Sequence, residues 1–398
     1  MVGSGQIEEI QGLYGPFTVS ERVLQKIWLR GDFATDGLRT ASGKTLEVRA
    51  AGTWNPHEGP DFREARLVIG GEPVVGDVEI HFYAADWEAH GHGGNPDFSG
   101  VVLHVVLYPE KGTPLTYRRA DGGEPETVYL LPLLHRDLES LVADEALLAL
   151  ERADELEWVA LFLERPPDDR AAVLRRCAEE RWEQKLRFAR RRLRETGWRE
   201  ACHQAALEVL GYARNRAPMQ RIAIRYPLAG FAANTPDEAR LFAEEAGNWR
   251  LQGVRPANHP RRRLAQYRRL AAEQPDWPAR VAERLRALPP ADGAETARQL
   301  RRKAGLARFR RECRSEVFRD LLGEKRFDTL MIDALLPLSA AAGECAAAPY
   351  WRAWPPGDVP DALIRFLRQT RAPGDAQPMA NGAAQGALAL FFSDGAAA

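Results

Sequence analysis

Cysteine is scarce in this chain: four of 398 residues (Cys177, Cys202, Cys313 and Cys345), all in the second half and none in a C-x-x-C pair. That spacing offers neither a disulfide framework nor a thiolate zinc site, and it fits a reducing compartment. Long apolar runs are missing too. Nowhere do eighteen apolar residues follow one another, which argues against a membrane-spanning helix. The opening MVGSGQIEEI has no basic stretch followed by an apolar one, so no secretory leader is expected and the expected location is the cytoplasm. Lysine supplies only six of the 55 basic side chains, and arginine the other 49.

What is present is unevenly spread. The formal net charge of −1 conceals an acidic first part, with 28 acidic and 14 basic side chains in residues 1–165, and a basic remainder with 28 and 41. The basic part suits a polyanion such as nucleic acid, although arginine-rich helices also serve as solvated surface. A chain of this length exceeds what one core supports, so two domains are expected, 1–135 and 136–398.

The patterning divides at the same place. Ser20 to Arg30 reads as a helix capped by Ser20, with Val23, Leu24, Ile27 and Trp28 at helical spacing. Short β segments follow at Thr45–Ala50, Ala65–Ile69, Val74–Tyr83, Val101–Tyr108, Leu115–Arg119 and Thr127–Leu134. One helix and a mostly antiparallel or mixed sheet predict an α+β domain. Beyond Asp137 the pattern is helical, in segments that include Leu141–Leu163, Ala171–Glu195, Trp198–Leu210, Pro236–Leu251, Arg261–Glu273, Ala294–Arg311 and Ser315–Leu322. The last thirty residues, rich in Gly, Ala and Pro, are expected to fray at the extreme end.

Five of the eight histidines (His57, His81, His90, His92 and His104) fall between Gly52 and Tyr108, among acidic residues. Val78-Glu79-Ile80-His81 lies on a predicted strand, so Glu79 and His81 share one face and Val78 and Ile80 the other. Asp61 opens the neighbouring strand of the same hairpin. Two carboxylates and an imidazole meeting at one place suit a divalent-metal phosphodiesterase: the carboxylates hold Mg²⁺ or Mn²⁺ and the base positions or deprotonates water. His90 and His92 lie in a Gly-rich segment, and their H-x-H spacing also suits zinc, with Asp86 or His104 completing a site. Hydrogen bonding to the loop, or contact with a substrate phosphate, would use the same rings. His104 in V-V-L-H-V-V reads equally as a buried, satisfied ring. Arg255 and Asn258, in a loop fixed by Pro256 and Pro260, are candidate nucleic-acid contacts.

Pro60-Asp61, a hairpin, and then Glu79-Ile80-His81 resemble the PD-(D/E)xK nuclease superfamily, with His81 where the superfamily usually has Lys. That resemblance implies a restriction-endonuclease-like α/β sandwich, Asp61 and Glu79 as metal ligands, and Glu21 as the additional acid some members use. Over most of residues 15–390 the chain also resembles the bacterial domain-of-unknown-function family 2851. The motifs are GPDF with A-x-L, G-x-VEIH, DWxxHGH, VxLHVV, GYARNRAPMQRIA and GVRPANHPRRRLAQ. The family carries no assigned activity. The expected function is therefore metal-dependent hydrolysis of nucleic acid, with Asp61, Glu79 and His81 central and Glu21, His90, His92 and His104 auxiliary. Two other readings fit the same residues: a nuclease-fold binding or scaffold protein without catalysis, and a zinc hydrolase acting on a small substrate.

Overall fold

The computed structural model describes residues 21–110, 117–134, 138–212, 215–234, 236–252, 254–291, 293–357, 359–371 and 378–392. The chain divides into two compact units, 1–145 and 146–398. The first holds a mixed sheet and the second is helical. Ser20, expected as a helix cap, lies outside the described residues.

In the first unit, helix α1 (Glu21–Arg30) buries the Val23, Leu24, Ile27 and Trp28 stripe that its spacing dictates. Trp28 donates from Nε1 to the Ala51 carbonyl at 3.1 Å and stacks on Phe33. Lys26 and Arg30, on another side of the helix, both pair with Glu145. Strands β1 (Leu46–Ala50), β2 (Thr53–Trp54), β3 (Phe62–Ile69), β4 (Glu72–His81), β5 (Val101–Val106) and β6 (Glu126–Tyr129) form one sheet in the order β1-β3-β4-β5-β6, with β2 also on β3. The first three pairings are antiparallel, and β4–β5 and β5–β6 are parallel.

The β3–β4 hairpin turns on Gly70 and Gly71, both at positive φ, as a tight turn with the strands' own twist requires. An irregularity between Phe62 and Ala65, where Glu64 has φ of 55°, shifts the register so that Phe62 faces Val78. Asp61 is thereby set beside Glu79. Parallel strands need a crossover, and here the short helix α2 (Asp86–Ala89) and two 3₁₀ turns supply it between β4 and β5. The segment after Val106 departs from expectation. Residues 115 and 116 of the expected Leu115–Arg119 strand lie outside the described residues and Tyr117–Arg119 form no strand, while β6 stops at Tyr129 where Pro132 enters a 3₁₀ turn.

In the second unit, helix α3 (Leu138–Glu151, which begins in the first unit) is followed by α4 (Glu157–Glu164) and the long α5 (Pro167–Leu210), broken at Gly197 with φ of 73°. Several expected helices are shorter or divided. Only Glu238–Glu244 of Pro236–Leu251 is helical, and Ala297–Lys303 and Leu306–Glu312 are separated by Gly305. The Ser315–Leu322 helix is not formed as expected, because Arg319 and Asp320 adopt positive φ and turn the chain. Within the Gly-, Ala- and Pro-rich last thirty residues, Asn381–Phe392 is a helix with Ala384, Ala387, Leu390 and Phe391 buried, and the extreme end expected to fray lies outside the described residues. The four cysteines form no disulfide, and no described helix is long and apolar enough to cross a membrane.

His203, fully buried on α5, is tied by its ring nitrogens to the Tyr267 hydroxyl at 2.7 Å and the Tyr226 carbonyl at 2.9 Å. Burial pushes its pKa down to about 4, so the folded protein holds the neutral ring. A depressed pKa contributes stability that is full above the unfolded value near 6.5 and is lost as pH falls to about 4. His203→Gln should remove on the order of 3 kcal/mol of acid sensitivity over that window, read as a flatter profile of melting temperature against pH than the wild type shows.

Candidate functional site

The parallel register β4–β5 aligns Val78 with Leu103, Glu79 with His104, Ile80 with Val105 and His81 with Val106. Alternation then gives one face to Val78, Ile80, Leu103 and Val105, all buried, and the other to Glu79, His81 and His104. Three polar side chains on a buried sheet face are costly unless each meets a partner. The partners are one another.

Asp61 is clamped at the start of β3. Its Oδ2 accepts the Ile80 N–H at 2.9 Å and its Oδ1 accepts Gln25 Nε2 at 2.6 Å, while its own N–H donates to Glu79 Oε2 at 3.0 Å. Gln25 is held in turn by Trp54 Nε1. The other Glu79 oxygen, Oε1, faces the rings: His92 Nε2 is 3.2 Å away and His81 Nε2 3.4 Å. His81 Nε2 also lies 3.1 Å from His90 Nδ1 and 3.3 Å from His92 Nε2, and its Nδ1 is 2.9 Å from His104 Nε2. Gly91, at φ of 75°, reverses the chain between His90 and His92 so that both rings reach His81. Phe98 stacks on His92 with centroids 3.8 Å apart, and Trp87 stands edge-on behind it.

Burial dominates the electrostatics. Asp61 and Glu79 are pushed well above the usual carboxylate range, by desolvation first; Glu79 adds repulsion to Asp61, and Glu21 to both. Glu21, in the first turn of α1, is itself raised by burial and interacts electrostatically with His90, Asp86 and His92. The same desolvation drives His81 down to about 2 and His104 to about 3, so both rings are neutral at pH 7. An imidazole that resists protonation this strongly is a poor proton acceptor and a good neutral ligand.

The structure thus gathers Glu21, Asp61, Glu79, His81, His90, His92 and His104 into one neighbourhood. His57 is apart on an exposed loop, with its backbone N–H on Asn55. Asp86 is engaged by the Tyr83 N–H. In the second unit the half-buried Asn258 accepts through Oδ1 from Tyr212 Oη at 2.7 Å and from Arg263 at 2.8 Å, and Arg255 is exposed. Gln25 and Trp87 are contributors that residue chemistry alone did not mark. The i, i+4 spacing of Glu21 and Gln25 was the available signal for the first.

Residues 21–243 match the family described as "Protein of unknown function (DUF2851)". The chain belongs to the DUF2851 family. The match contains every element of the site, from Glu21 on α1 to His104 on β5. Comparison with curated proteins and with solved structures finds no match to either.

Proposed function

We propose that this DUF2851 protein is a divalent-metal-dependent hydrolase of nucleic-acid phosphodiester bonds. The observation that carries the reading is the meeting of Asp61 and Glu79, with Glu21 near them, at the end of the β3–β4 hairpin. The succession of α1, the antiparallel β1-β3-β4 set, the crossover and the parallel β5 supports it, because that order matches what the PD-(D/E)xK resemblance implies. Fit to a cation is supported by the charge problem itself: two adjacent buried carboxylates repel each other when ionised, and Mg²⁺ or Mn²⁺ would relieve that repulsion. Such an ion supplies Lewis-acid neutralisation of phosphate charge.

Asp61 and Glu79 would hold the ion, and Gln25 and the Ile80 N–H fix the Asp61 carboxylate. His81, neutral and braced by His104, would help fix Glu79 rather than deprotonate water. His90, the exposed ring of the cluster, stands on the solvent side, where water and substrate arrive. Arg255, Arg261 and Arg262 are exposed around the loop of Pro256 to Pro260 and offer phosphate contacts in the basic unit.

The test is cleavage of single- and double-stranded DNA and RNA with Mg²⁺ or Mn²⁺ by wild type and Asp61→Asn. The expected loss in the variant is on the order of 10³-fold, several kcal/mol of transition-state stabilisation. Salt-dependent binding with no cleavage by either protein would instead favour a scaffold that keeps the fold and not the reaction.

A further inference from the structure

Four donor atoms in the first unit converge from three different segments: Glu79 Oε1 and His81 Nε2 from β4, His90 Nδ1 from the end of α2, and His92 Nε2 from the 3₁₀ turn beyond Gly91. Four of the six separations among them, the three from His81 Nε2 and that between His92 Nε2 and Glu79 Oε1, run from 3.1 to 3.4 Å. A tetrahedral zinc ion with ligands at about 2.0–2.1 Å places its ligands about 3.3 Å apart, which is the spacing of those four pairs. The three histidine donors all lie within 4.8 Å of one another.

Hydrogen bonding among the rings does not account for the arrangement. His81 Nε2 faces two ring nitrogens and a carboxylate oxygen at once, and one nitrogen carries at most one proton or one lone pair. A cation at the centre satisfies all four. The surroundings also suit one: if His81 keeps its proton on Nδ1 and donates it to His104 Nε2, its Nε2 lone pair is free for the centre. His104 then carries its own proton on Nδ1, the buried atom without a hydrogen-bond partner, beside the Tyr117 ring. Trp87, Phe98 and Tyr117 exclude water from behind the rings, while His90 opens the site to solvent.

We infer that Glu79, His81, His90 and His92 form a tetrahedral site for a zinc-class transition-metal ion, with His104 as the positioning residue for His81. The nitrogen-rich donor set selects against Mg²⁺, which takes oxygen ligands in an octahedron. This site is separate from the Asp61 side of Glu79 and joined to it through that one carboxylate, and it does not depend on phosphodiester hydrolysis.

The experiment measures zinc per chain in the purified full-length protein, then titrates Zn²⁺ into the metal-stripped protein and records the absorption of the Co²⁺ form. The expected results are one ion per chain, the intense visible bands of tetrahedral Co²⁺, and at least 100-fold weaker binding in His90→Ala and His92→Ala. Asp61→Asn should bind zinc as the wild type does. His90 is exposed, so His90→Ala tests the site even if His92→Ala misfolds. Zinc affinity unchanged in a folded His90→Ala, or Co²⁺ bands of octahedral strength, would overturn the inference. Zinc retained by a protein that cleaves no nucleic acid would sink the hydrolase reading and leave this site standing.

Discussion

Glu79→Gln should reverse the order of stability between the metal-free and metal-loaded protein. Without metal the wild type buries Glu79 against a second carboxylate, Asp61, in a desolvated setting. A carboxyl whose folded pKa is raised contributes stability that is complete below the unfolded value and is lost as pH rises through the folded one. The metal-free wild type therefore weakens from the ordinary carboxylate range upward into the neutral range. The histidines act with the opposite sign, since His81 and His104 are depressed and weaken the fold only below about pH 6.5. At pH 7 to 8 only the carboxylates matter. Gln keeps the side-chain volume, can still accept the Asp61 N–H, and removes the charge. Metal-free Glu79→Gln should thus melt above the metal-free wild type at pH 7.5 by an amount that shrinks toward pH 4.

With zinc present the order inverts. Glu79 is the single anionic donor among four, and its loss should weaken binding by on the order of 10²-fold or more, beyond the 10- to 100-fold that altered supporting groups cost. An ion at a hundred times its dissociation constant stabilises the fold by about 2.7 kcal/mol, which the wild type gains and the variant does not. Melting curves of both proteins with and without Zn²⁺ check both halves. A variant that is less stable in both states would mean that Glu79 serves as a hydrogen-bond acceptor for Asp61 and that its charge is incidental.

How much of this was legible in the sequence differs from residue to residue. The face shared by Glu79 and His81 follows from strand alternation, and the hairpin from Gly70-Gly71 between two β segments. The arrival of His104 follows from neither, because it depends on a parallel pairing after a crossover, which local periodicity does not encode. His90 and His92 are visible as an H-x-H pair, but the ring gathered with them is His81, where Asp86 or His104 was expected to complete the set, since the positive φ at Gly91 and the turn of α2 decide which way they point. In the second unit the break at Gly197 falls between the expected Ala171–Glu195 and Trp198–Leu210 segments, whereas the expected Ala294–Arg311 helix runs through Gly305, where the backbone divides it. The last helix is hidden from periodicity for another reason: its glycine and alanine content carries no helical stripe, yet Gly386 lies so close to α5 that a Cβ there would stand 2.1 Å from the Leu174 carbonyl oxygen. Small residues in that helix are a packing device, and only the partner surface shows it.

Trp87→Ala should produce the largest loss of stability in the first unit. The ring is fully buried in a small cluster with Ala84, Phe98, Val101, Val106 and Tyr117. A buried Trp truncated to Ala costs about 3–5 kcal/mol, transfer and cavity together. For a domain stable by about 5–15 kcal/mol that is a large fraction, and it should lower the melting temperature by on the order of 10 °C or more. The site should be affected as well. Trp87 contacts His92 and His104 at centroid distances of 5.5 and 5.3 Å, so it backs one proposed ligand directly and another, His81, through His104. A cavity there lets both rings turn, and zinc affinity should fall about 10- to 100-fold, the range for lost support of a ligand. Trp87→Phe leaves an apolar ring in place and loses the Nε1 hydrogen bond to the Arg118 carbonyl, a long one at 3.4 Å. It should recover most of the affinity and only part of the stability. That split separates a positioning role from a packing role: a Trp87→Ala protein that melts early but binds zinc as tightly as the wild type would show that the ring fills space and that His92 and His104 are held by the sheet and by Phe98 alone.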